Sequence, residues 1–229
     1  MDIIQQLRKE TNKELPLTDR IYEELLRAIL TGRLARDSWL TETKVCSMYG
    51  ASRTPVREAF RRLEMDGLLE YIPKRGEYVR GFSYDELIDM LNIRADLEVR
   101  AVSWSIERIT DDEMEQFDDI FRYMEFYTKK NDIHMMMYAN SAFHRHIYKT
   151  SHDRMLDKTL TTYFNYCKYS CPPNYFAPKF LDKTLEERRR IYSSYLKKDL
   201  TGGARAMKLH MNSTIKRAIA NINPNIYEK

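Results

Sequence analysis

Three arginines set the first question about this chain: Arg53, Arg57 and Arg61 follow one another at intervals of four. On a helix that interval puts them on one face. Val56, Phe60 and Leu63 recur on the opposite stripe, so one side of the helix is apolar and the other carries guanidinium groups. A guanidinium is a planar fork of donors that matches O6 and N7 of guanine or two oxygens of a phosphate. Ser52 and Thr54 stand at the start of the same helix, where hydroxyls and unpaired backbone N–H groups suit phosphate. Lys74, Arg75 and Gly76 follow in a turn that would extend the basic surface to a neighbouring groove. A solvated basic face without a partner is the competing explanation, because charge runs usually face water. What favours DNA is the order of elements around the arginines.

Those elements are legible from periodicity. After Pro16, Thr18 is placed as a helix N-cap, with Leu17 and Tyr22 as a hydrophobic staple. Ile21, Leu25, Ala28 and Ile29 then recur at helical spacing up to Gly32. A short helix is expected from Thr41 to Tyr49 and closed by Gly50. The arginine helix starts at Ser52 or Thr54, takes Pro55 in its first turn and ends near Asp66-Gly67. Two short extended segments, Leu69–Ile72 and Glu77–Arg80, flank a turn at Pro73-Lys74-Arg75-Gly76. Helix, helix-turn-helix and β-hairpin is the order of a winged helix.

From Ser83 onward only helical patterns occur. The expected segments are Tyr84–Ile106, Asp111–Lys129, Asp132–Thr150, His152–Tyr169, Phe180–Lys198 and Gly203–Ile222. Expected caps are Ser83, Thr110, Asn131, Ser151, Ala177–Lys179 and Thr201-Gly202. Pro172-Pro173-Asn174 is the clearest break. The fold class that follows is mostly α: a winged helix-turn-helix with a small β-hairpin, then an all-α bundle of about six helices. The domain plan is a polar N-terminal segment over 1–16, a DNA-binding domain over 17–80, a helical domain over 83–222 and a tail over 223–229.

Composition agrees with a helical protein. The 229 residues include only 7 Gly and 7 Pro, too few for the many tight turns of a β-sandwich. The net charge of +4 is a weak footprint for a nucleic-acid binder, so the charge distribution has to carry the argument. Cys46, Cys167 and Cys171 suggest no disulfide framework, and no second Cys or His pair lies beside the last two to complete a zinc site. The polar first 16 residues hold no apolar leader segment, and no run approaches the roughly 20 apolar residues of a membrane span. The expectation is a cytoplasmic protein that contacts no membrane.

The stretch Ser52–Ala59, with Leu63-Glu64, Gly67-Leu68 and Arg75-Gly76, resembles the signature of the GntR family. Ile93-Arg94, Leu97-Glu98 and Phe143-His144 resemble its FCD (FadR C-terminal-like) subfamily. The resemblance implies a homodimer on a palindromic operator, with Arg53, Thr54 and Arg57 contacting DNA. One departure is Arg36-Asp37, where the family usually has Pro-Gly.

The resemblance also implies a sensor pocket. In many FCD domains an Asp and three His hold a metal ion that binds an organic-acid effector. Here Asn140 stands in the Asp position, His144 is kept, Arg188 stands where a His is expected, and His210 is kept. Asn is a weak neutral ligand and Arg cannot ligate, so firm metal binding is not expected. A residual Zn or Ni site on His144, His210 and Asn140 is the alternative. The expectation is no cofactor, with Arg188 holding an effector carboxylate or phosphate beside Asn140, His144 and His210. These histidines could equally be core residues, and Arg188 one member of the run Arg188–Arg190. Arg94 and Glu98 are an i, i+4 pair, either a surface ion pair or, if Arg94 points into the bundle, a buried Arg that needs Glu98 or an effector anion as its partner. Met135–Met137 suggest adaptable core packing.

The expected function is a transcriptional regulator, most simply a repressor, that binds operator DNA and answers to a small anionic metabolite. The alternative is a DNA-binding dimer whose helical domain senses nothing. An enzyme is not expected, because no nucleophile–base motif or phosphate loop accompanies His144 and His210.

Overall fold

The structure is a computed structural model, and it describes residues 15–170, 181–222 and 227. The described chain divides into two compact units, residues 15–87 with Tyr227, and residues 88–222.

In the first unit, α1 spans Leu17–Leu30, α2 Glu42–Tyr49 and α3 Arg53–Met65. The Arg20 amide donates to Pro16 O, so the first helical turn opens at Leu17 and Thr18 lies inside it rather than capping it. Thr41 does cap α2, accepting from the Lys44 amide, and Gly50 ends it at φ 57, a left-handed conformation that glycine adopts without steric cost. Ile21, Leu25, Leu26, Val56, Phe60 and Leu63 are buried, which confirms the apolar stripes of α1 and α3.

The expected hairpin is part of a three-stranded sheet. Strands β1 (Trp39–Leu40), β2 (Leu69–Ile72) and β3 (Gly76–Val79) lie antiparallel in the order β1-β3-β2. Trp39 faces Tyr78, and Leu40 faces Glu77. Two residues carry no readable period, which is why β1 escapes a sequence pattern. The third strand begins one residue earlier than expected. Gly76 has φ 98, and a Cβ there would lie 2.6 Å from the Leu40 carbonyl oxygen, so only glycine lets β1 approach.

The second unit is built from α4 (Tyr84–Arg108), which begins in the first unit, α5 (Asp111–Lys129), α6 (Ile133–Thr150), α7 (Arg154–Ser170), α8 (Leu181–Leu196) and α9 (Leu200–Asn221). Ser83 and Glu86 bond reciprocally at the start of α4, and Thr110 with Glu113 forms a capping box on α5. Three other caps correct the sequence reading. Asp132, Asp153 and Asp199 accept the amides of Met135, Leu156 and Gly202, in place of Asn131, Ser151 and Thr201-Gly202. The reason repeats each time: Asn131, His152 and Lys198 turn left-handed at φ 53, 51 and 51 and close the preceding helix, so the following aspartate starts the next. The Ser151 hydroxyl instead donates back to Tyr148 O. The break at Pro172-Pro173-Asn174, the cap at Ala177–Lys179 and Cys171 lie outside the described residues.

The core of this unit centres on Phe117, fully buried and packed on Phe143, His146 and Tyr195 at ring separations of 4.9, 5.1 and 4.7 Å. Burying such a ring stabilises the fold by about 2–3 kcal/mol. Met136 is fully buried in the same cluster, as core filling requires. Among the described residues no helix is long and apolar enough to cross a membrane.

Candidate nucleic-acid interface and buried polar cluster

The arginine face of α3 stands as the spacing predicts. Arg53, Thr54, Arg57 and Arg61 are exposed, while Val56, Ala59, Phe60 and Leu63 on the other side are buried. Ser52 holds the N-cap position in extended backbone but makes no side-chain cap bond, so its hydroxyl remains available. Lys74 and Arg75 are exposed at the β2–β3 turn, where the Arg75 amide donates to Ile72 O and Lys74 takes φ 67. The Arg75 guanidinium lies 5.7 Å from the Trp39 ring, which anchors the wing tip to β1.

One partner was not legible in the sequence. Glu42, in the first turn of α2, accepts from Arg57 Nε at 2.6 Å. That bond holds the Glu42 carboxyl below its ordinary range and orients the Arg57 fork. The two residues are 15 apart and meet only through the packing of α2 on α3. A second carboxylate feature lies under the wing. Glu77 is buried on β3, and burial, reinforced by Glu64, pushes its carboxyl up to about 7.

The helical unit gathers the other predicted residues into one buried cluster. On α4, Arg94 donates to Glu98 Oε1 at 2.8 Å, and both side chains are buried. From α6, His144 Nδ1 lies 3.1 Å from Glu98 Oε2, and the Tyr148 hydroxyl donates to Glu98 Oε1. Burial by itself would raise the Glu98 carboxyl; the hydrogen bond to His144, the Arg94 charge and the Tyr148 bond outweigh it and hold the group ionised, far below the usual range. The interior reading of Arg94 is therefore the one the structure adopts, with Phe164 of α7 stacked 4.9 Å from its guanidinium.

Arg188 of α8 is 3% exposed and donates to Asn140 Oδ1 and, at 3.0 Å, to Thr184 O. Among its charged neighbours in the sequence run, Arg189 and Arg190 are exposed, so the run is not one solvated patch. His210 of α9 lies 5.5 Å from His144 ring to ring, and its Nδ1 is 2.9 Å from Glu187 Oε2. Glu187 also accepts from Ser213 and Arg217. Burial, with the Arg188 charge behind it, pushes the His210 imidazolium down to about 3, and burial lowers His144 as well. Both rings are neutral at pH 7. Asn140, His144, Arg188 and His210 thus meet, and Arg94 joins them through Glu98. Glu187 and Tyr148, which the sequence reading passed over, complete the set; both are within four residues of a residue it named. Among the described residues no group of three or more His, Cys, Asp or Glu is placed to hold a metal ion.

Comparison with known proteins fits both halves. Residues 17–79 match the model of bacterial regulatory proteins of the gntR family, and residues 89–213 match that of the FCD domain. The chain belongs to the GntR family, with an FCD domain. It is 27% identical over 206 residues to an uncharacterized helix-turn-helix-type transcriptional regulator, YdhC of Bacillus subtilis, covering 88% of this chain and 90% of that one. It is 24% identical over 205 residues to the helix-turn-helix-type transcriptional repressor RspR of Escherichia coli, covering 88% and 89%. The fold resembles that of E. coli McbR/YncC, with a TM-score of 0.70 at 22% identity over 90% of this chain and 98% of that one. This chain is a transcriptional regulator of the GntR/FCD type; its families and relatives are regulators rather than enzymes.

Proposed function

We propose that this regulator is a homodimeric repressor that reads an operator with α3 and is released or tightened by a small hydroxylated organic acid. The observation that carries the DNA half is the exposed Arg53, Arg57 and Arg61 face, backed by a fully buried stripe. In the groove, Arg53, Arg57 and Arg61 offer their forks to guanine edges or phosphates, Ser52 and Thr54 contact phosphate, and Lys74, Arg75 and the Gly76 turn reach the adjoining backbone. Glu42 presents Arg57 in a fixed orientation until DNA takes over the guanidinium. Binding to a promoter fragment should weaken steeply with salt, and a salt-independent affinity would reject the reading.

The effector half rests on Arg188, buried beside two neutral imidazoles. A guanidinium in low dielectric is a strong site for a carboxylate. With each Nδ1 turned to a carboxylate, the Nε2 of His144 is left as an acceptor, while that of His210 faces the Thr214 hydroxyl at 3.5 Å. An effector that satisfies the His144 Nε2 carries a hydroxyl donor next to its carboxylate, with the Asn140 amide as a further contact. Arg94 serves by fixing Glu98 and thereby the His144 ring.

Imidazoles backed by carboxylates at Nδ1 are also the arrangement of metal-ligating histidines. The rest of the set does not fit a divalent ion. The Asn140 oxygen, the third donor, is engaged by Arg188, whose own positive charge opposes a cation at that place. Arg188 therefore takes over the charge that a metal supplies in relatives with a full ligand set. Thermal-shift screening with hydroxylated monocarboxylates, repeated on Arg188→Ala, tests this. A stabilisation that vanishes in the variant supports it. No shift from any acid would leave dimerisation as the domain's role, and tight stoichiometric zinc uptake in calorimetry would overturn the substitution of charge for metal.

A further inference from the structure

The departure at Arg36-Asp37 has a structural use. Asp37 takes φ 64, donates its amide to Val79 O at 2.8 Å and accepts from the Tyr78 hydroxyl, so it preserves a turn that glycine would make. Arg36 adds something that proline could not. Its aliphatic stem lies against Gly81, where a Cβ would come within 3.2 Å of Arg36 Cγ. Its Nη1 donates to the carbonyl of Tyr227 at 3.3 Å.

Tyr227 is 5% exposed and belongs to the winged-helix unit although it follows α9 in the chain. Its hydroxyl donates to Leu30 O at 2.9 Å. Leu30 is the last residue of α1, where carbonyls have no amide one turn ahead to bond. The Leu34 amide, which continued helix would aim at Leu30, goes to Ala28 O instead. The tyrosine thus caps the helix from outside, and Arg36 holds the tyrosine's backbone.

We propose that the end of α1 and the Arg36 turn form a seat whose occupant is Tyr227, and that the tyrosine's place there holds the end of α1 closed. The seat closes the C-terminal end of α1 with a residue that comes from beyond α9 in the chain. The seat itself does not depend on the identity of any effector.

Hydrogen exchange on the full chain tests it. Ending the chain at Ile222, or replacing Tyr227 with Ala, should speed exchange of the Leu34 and neighbouring amides about tenfold, the size expected for a lost buried bond and ring. Tyr227→Phe, which keeps the ring, should give a smaller rise. Arg36→Met should speed the same amides in the full chain and add nothing in the shortened one. Unchanged exchange on truncation would overturn the seat, and so would an Arg36→Met effect of equal size in both chains.

Discussion

Glu98→Gln is the sharpest perturbation of the helical unit, because it removes one charge and almost no volume. Glu98 is fully buried and accepts from Arg94 at 2.8 Å, faces His144 at 3.1 Å and takes the Tyr148 hydroxyl. The neutral amide leaves the Arg94 guanidinium, itself 5% exposed, without its counter-charge. Breaking one side of a buried ion pair typically costs about 3–5 kcal/mol. The amide NH2 also has to face one of three donors, which adds to the lower end of that range rather than offsetting it. For a unit of this size each kcal/mol moves Tm by roughly 2–4 °C, so a fall on the order of 10 °C is expected. The chain has two tryptophans, Trp39 in the winged helix and Trp104 in α4. Urea unfolding in a Trp39→Phe background, followed at Trp104, therefore reads the helical unit alone. Pairing Arg94→Met with Glu98→Leu should cost less than the sum of the two single changes, since no charge is then stranded. A Glu98→Gln cost below about 1 kcal/mol, or strict additivity in the double variant, would refute the buried-network account.

The remaining predictions concern the interface and pH. Arg57→Ala should weaken operator binding roughly tenfold or more while leaving the melting curve nearly unchanged, since its Glu42 partner is at the surface; intact affinity in gel-shift titrations would place DNA elsewhere. Lys74→Ala should lower affinity evenly across operator sequences and reduce the salt slope by about 1. Gly76→Ala should destabilise the winged helix by about 1–3 kcal/mol, because a Cβ at φ 98 meets the Leu40 carbonyl at 2.6 Å; circular dichroism melts check it. The two units should respond to pH in opposite senses. His210 is pushed down to about 3 when folded, so the unfolded chain binds the extra proton, and the helical unit loses stability as pH falls below about 6.5. Glu77 is pushed up to about 7, so the folded state keeps the proton, and the winged helix loses stability as pH rises from about 4.5 to 7. Exchange rates of the two units measured at pH 5 and pH 7.5 check both signs, and Glu77→Gln should flatten the second.

The sequence by itself determined the helices, the winged-helix order and the reading face, because each rests on local periodicity. Val56, Phe60 and Leu63 against Arg53, Arg57 and Arg61 describe a helix with one buried and one open side whatever it packs on. The caps at Ser83 and Thr110 were equally local. Asp132, Asp153 and Asp199 are not legible as caps because the residue before each turns left-handed, which depends on how one helix hands over to the next. Tertiary structure decided what no spacing encodes: that Glu42 meets Arg57, that β1 completes the sheet, and that Arg188 donates to Asn140 from 48 positions away. It also decided charge. Burial outweighs every other influence on His144 and His210, and burial exists only once the helices have closed around them.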